Sequence, residues 1–102
     1  MKRIDSTNTR SPRDGNWYWI DKRVLQNYAT DIGAIGIAVY NCLASFVDGS
    51  QTCYPSQGRI AEMLGLSRVT VNRTIKRLAD AGLVSIERRG GTYPHTYRLL
   101  RL

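Results

Sequence analysis

A helix stop set almost directly against a helix start most narrows the folds open to this chain. Gly65-Leu66-Ser67 joins two segments of helical periodicity. Upstream, Pro55 opens a segment for which Ser56 is the N-cap. Ile60, Ala61 and Leu64 recur on its buried side, and Gly65 sits where a left-handed terminator belongs. Downstream, Ser67 is a second N-cap, and the helix it starts runs over 68–81 and stops at Gly82. Two short helices so joined have helix–turn–helix spacing. Ala61 is small where the second helix crosses, and Leu66 and Val71 plug the corner.

On a wheel of about 100° per residue with Val71 at zero, Ile75 falls near 40° and Leu78 near −20°. These three define the core side of the second helix. Val69, Thr70, Asn72, Arg73, Lys76 and Arg77 fall on the outer face. Those types suit a major groove: Arg pairs bidentately with guanine, Asn with adenine, and small methyl-bearing side chains touch the thymine methyl. Ser67 and Arg68 sit at the helix N-terminus, where backbone N–H groups and the helix dipole favour a phosphate. A merely solvated amphipathic helix would mix in acids, yet the only acid in this one is Asp80.

Beyond Gly82 the period changes to two. Val84 and Ile86 alternate, Arg89-Gly90-Gly91-Thr92 turns the chain, and Tyr97 and Leu99 alternate again. That predicts a β-hairpin with a long tip, which Pro94 keeps out of the ladder. Arg88 and Arg89 at the tip would lie beside the second helix and reach phosphates or a minor groove.

The amino-terminal half supplies support. Residues 1–15 are polar and hold almost nothing apolar, so they read as a disordered basic arm, with one folded domain over 16–102. Trp17-Tyr18-Trp19-Ile20 suggests a strand or an interface segment. Asp21 is placed to cap a short helix from Lys22 to Ala29, with Val24, Leu25 and Tyr28 as its stripe. Asp31 is placed to cap a longer one from Ile32 to Val47, with Ile32, Ile35, Val39, Cys42, Leu43 and Phe46 inward. Gln51 to Tyr54 is a short strand candidate. Gly33 and Gly36 are read as room for close helix packing.

The charge has a location. The chain carries 15 Lys+Arg against 8 Asp+Glu, a net +7 in 102 residues. Residues 67–102 alone hold Arg68, Arg73, Lys76, Arg77, Arg88, Arg89, Arg98 and Arg101 against Asp80 and Glu87. So concentrated an excess suggests a polyanionic partner. The longest nearly apolar run, Ala34 to Tyr40, is far short of the ~20 residues of a spanning helix, and the basic face lacks the large apolar side chains of a membrane-surface helix. Cys42 and Cys53 fit a reducing, cytoplasmic setting, with Cys42 on an apolar stripe as a core thiol; a bridge between them is a minor alternative. With one histidine, His95, no usual zinc ligand set exists and no Ser/His/Asp triad is credible, so neither a metal, a cofactor, a small-molecule ligand nor catalysis is expected.

The stretch YPSQGRIAEMLGLSRVTVNRTIKRLADAGLV, from Tyr54 to Val84, resembles the winged helix–turn–helix domains of bacterial and phage DNA-binding proteins. That resemblance implies a mainly α fold with a small antiparallel β-sheet. It places Thr70, Asn72, Arg73 and Lys76 on the recognition helix. Arg59 stands where an acid often completes the capping box, and the sequence stops at Leu102, just after the wing, with no effector or dimerisation domain in view. The expected activity is sequence-specific binding of double-stranded DNA, as a transcription regulator acting by operator occupancy. The alternatives are a plasmid or phage replication initiator or maintenance protein, and an interaction module that docks an acidic protein partner. A lone module buries only about 600–1,000 Å² on DNA, so a homodimer through Trp17, Tyr18 and Trp19 is a further expectation.

Overall fold

The computed structural model describes residues 9–11, 13, 15–91 and 93–102. The arm expected over residues 1–15 lies largely outside them, as does Thr92 of the turn. Three helices, α1 (Lys22–Phe46), α2 (Gln57–Leu64) and α3 (Arg68–Asp80), combine with three strands, β1 (Thr52–Cys53), β2 (Val84–Glu87) and β3 (Thr96–Leu99). The sheet has the order β1-β3-β2 and both ladders are antiparallel. This is the mainly α, small-sheet winged helix that the sequence predicts.

The hairpin alternation holds. Ile86 pairs with Tyr97 and Val84 with Leu99, so one face carries the apolar set. Pro94 stays outside the ladder, which begins at Thr96. The sheet is one strand wider than the hairpin, because β1 adds to the free edge of β3 with Cys53 opposite Tyr97. Both of those side chains are buried. The two cysteines are free buried thiols, and no bridge joins them. Burial pushes both thiols up, Cys53 to about 12, which keeps them protonated core side chains.

Two helical segments lie here, as expected, but they meet at a kink within α1 and not at a cap. Asp21 does cap α1, accepting from the Arg23 N–H at 2.9 Å and pairing with the Arg23 guanidinium at 2.6 Å. The helix then runs through Thr30 and Asp31, so Asp31 is not a cap. The break comes at Gly33, whose φ of 73° and ψ of 172° are non-helical. Only glycine adopts that region without strain. A kink there resets the phase of the apolar stripe. Ile32, Val39 and Leu43 are buried, while Leu25 and Ile35, expected to point inward, are 64% and 47% exposed. The Ile32 side chain of the same helix lies where a Cβ on Gly36 would go, so the tight contact at Gly36 is within α1 and not the helix–helix packing expected of Gly33 and Gly36.

By length and composition α1 is long and apolar enough to cross a membrane, although its longest nearly apolar run is only Ala34 to Tyr40. Its apolar stripe is already committed: Ile32, Val39 and Leu43 belong to one core with Ile60 of α2 and Val71, Ile75 and Leu78 of α3. The kink divides it into two rods, each shorter than the ~20 residues a span requires.

Trp17, Tyr18 and Trp19 form no strand and do not enter the core; all three are exposed, Trp19 at 71%. Tyr18 donates to Asn41 Oδ1 at 3.1 Å, and Arg10 stacks over Trp17 at 4.9 Å.

The kink makes Gly33 sensitive through its backbone alone, because nothing lies within 4 Å of a Cβ added there. Gly33→Ala is expected to cost about 1–3 kcal/mol, read as a lower urea midpoint at unchanged m-value. An unchanged midpoint would show that α1 runs straight.

Candidate nucleic-acid interface

The turn between α2 and α3 is built from its own backbone. Gly65 closes α2 at φ 66°, ψ 34°, with its N–H and that of Leu66 both donating to the Ala61 carbonyl. Ser67 then starts α3. Its hydroxyl accepts from the Thr70 N–H at 3.1 Å and donates to Thr70 Oγ1 at 2.9 Å. With the Thr70 N–H so capped, the N–H groups of Arg68 and Val69 remain as the open donors of the first turn. The same capping works at Ser56, which accepts from the Arg59 N–H at 3.1 Å. Arg59 itself stacks over Phe46 at 5.2 Å instead of closing a capping box.

Val71, Ile75 and Leu78 are buried at 0, 1 and 0% exposure and anchor α3 to the core. Thr74 joins them, a buried polar residue whose hydroxyl is satisfied by the Thr70 carbonyl at 2.6 Å. On the opposite side Val69, Arg73, Lys76 and Arg77 are exposed, Val69 at 65%. Thr70 and Asn72 are half-buried, so these two are less open than the wheel implies. Among the described residues the ion pair found is Arg23–Asp21; the cations of α3 and the wing are in none. Arg68 is exposed and lays its guanidinium over Gly58 of α2, where a side chain would collide with it.

The wing faces the same side. An open cleft of about 340 Å³ runs between α3, the start of α2 and the hairpin, and Asn72, Lys76 and Arg88 line it together. Arg89 is exposed and stacks over Tyr93 at 5.3 Å, which gives the tip a defined contact. Residues absent from the expected set also line the cleft, among them Gln57, Tyr93 and His95. His95 Nδ1 is buried there without a hydrogen-bond partner. Gln57 donates to Asn72 Oδ1 at 3.3 Å. Tyr97 lies beneath, its phenol pushed up by burial and drawn back by the neighbouring Gln57 amide.

A short helix pair with a capped, cation-bearing second helix and an adjacent β-hairpin defines the winged helix–turn–helix class. Within it, the chain belongs to the family of Crp-like helix–turn–helix domains, whose model matches residues 40–102. Two solved structures share the fold. One is the structure of a Rep–DNA complex, with a TM-score of 0.58 at 19% identity over 98% of this chain and 84% of that one. The other is the N-terminal domain of a DNA-binding protein, with a TM-score of 0.57 at 19% identity over 99% of this chain and 84% of that one. No curated protein matches the sequence.

The Ser67 hydroxyl is the cap that fixes the first turn of α3. Ser67→Ala is expected to cost about 1 kcal/mol, measured as a drop in the thermal midpoint. A melt identical to wild type would mean that Thr70 caps the turn by itself.

Proposed function

We propose that this domain binds double-stranded DNA sequence-specifically and regulates transcription by occupying its site. What carries the proposal is the exposed face of α3 beside the wing, where Val69 is open to solvent and Arg73, Lys76 and Arg77 are in no ion pair among the described residues. In the proposed complex α3 lies in the major groove. Arg73, from the middle of the helix, pairs with a guanine edge, and Val69 and Thr70 meet thymine methyls. The Ser67–Arg68 end receives a backbone phosphate through open N–H donors and the Arg68 charge. Lys76 and Arg77 extend the cationic face, and Arg88 and Arg89 hold the flanking backbone or minor groove. No group in this arrangement is assigned a catalytic role.

Exposure of Trp17, Tyr18 and Trp19 supports a second copy as partner on DNA. Two copies would read two half-sites and raise the modest contact area of one module. The likeness to a Rep–DNA complex favours replication or plasmid maintenance as the second possibility. Mapping occupied sites separates the two: positions overlapping promoters support regulation, repeated sites at an origin support replication.

Direct tests are titrations of duplex DNA at several salt concentrations. About six phosphate-facing cations predict a slope of log K against log salt near −5; a slope flatter than about −2 contradicts duplex binding and favours an acidic protein partner. Arg73→Ala is expected to cost ~1–3 kcal/mol at the preferred site and to bring preferred and random duplexes closer in affinity. Arg88→Ala with Arg89→Ala is expected to weaken both about equally and flatten the slope by about 1 per residue. Loss of discrimination in the tip variant alone would make the wing the reader.

A further inference from the structure

Adenine recognition by an asparagine needs both ends of the amide, the carbonyl accepting from N6–H and the NH₂ donating to N7. At Asn72 one of the two lone pairs of the amide oxygen is already engaged. Asn72 Oδ1 accepts from Gln57 Nε2 at 3.3 Å. Gln57 lines the cleft beside Tyr97. Tyr97 is 1% exposed and sits on the central strand, paired with Cys53 on one side and Ile86 on the other. Gln57 and Asn72 are both half-buried and line the cleft with Lys76 and Arg88.

We propose that Gln57 locks the Asn72 amide with its NH₂ toward the cleft, so that Asn72 acts as a hydrogen-bond donor only. Such a group reads base acceptors, namely purine N7, guanine O6 or thymine O4, and rejects cytosine, which offers the N4 amino donor. Gln57 is then a positioning residue that sets specificity at one base without touching DNA. The proposal rests on the DNA-binding reading given above. It replaces the adenine pairing that the residue type alone suggests.

Gln57→Glu tests it without altering Asn72. A carboxylate cannot donate, so the Asn72 amide must turn its NH₂ toward Glu and present its carbonyl to the cleft. Selection from random duplex DNA with wild type, Gln57→Glu and Gln57→Ala gives the base preference at each position, and thermal melts confirm that each variant is folded. The expected wild-type profile has one position from which cytosine is depleted at least about fivefold. In Gln57→Glu that position changes to favour cytosine or adenine, while the others are unchanged and overall affinity falls from the added negative charge. Gln57→Ala releases the amide, and the position gains adenine. If wild type enriches a sequence and both variants enrich the same one, the lock is overturned while DNA reading stands. If wild type enriches nothing, DNA reading fails and the inference falls with it.

Discussion

The docking of one side of α3 determines what the rest of the molecule presents. Val71, Ile75 and Leu78 are almost wholly buried against α1 and α2. Side chains of this size contribute about 1.5–3 kcal/mol each on burial. Together they are comparable to the entire net stability of a small domain, roughly 5–15 kcal/mol. Rotating α3 about its axis would forfeit that contribution, so the azimuth of the helix is fixed. Val69, Arg73, Lys76 and Arg77 are held outward as a consequence.

The sheet then places the wing relative to that face. β3 pairs on both edges, and Tyr97 at its centre is tied to core and cleft alike. Pairing at Val84–Leu99 and Glu87–Thr96 carries the chain out to Arg88. The cleft between Lys76 and Arg88 thus has one wall from the anchored helix and one from the ladder. Two cations from distant segments are brought to one cleft by the elements that carry them, against their mutual repulsion.

Features set by near neighbours are legible in the residues themselves. Ser56, Gly65, Ser67 and Gly82 act within one turn of the chain, so cap and terminator chemistry places α2 and α3. Period-two alternation finds the hairpin, and period-3.6 spacing finds the face of α3. What does not show depends on distance. Asp31 has the residue type of a cap, yet helix continues through it until Gly33, whose positive φ breaks it. The phase shift bears on Ile35, which follows the kink; Leu25 precedes it and is exposed on the first segment. β1 is visible as a strand candidate, but its pairing with β3 joins residues more than forty positions apart. Gln57, as the first residue of α2, carries no local signal; only the fold brings it to Asn72 and Tyr97.

The central claim is that DNA meets the molecule at the outer face of α3 and at the wing. Backbone-amide NMR during titration with a selected duplex tests it most directly. The account predicts the largest shift changes at Val69, Arg73 and Lys76 and at Arg88 and Arg89, with Leu25 and Ile35 of α1 unmoved. Largest changes at Leu25 and Ile35 with α3 unmoved would contradict it.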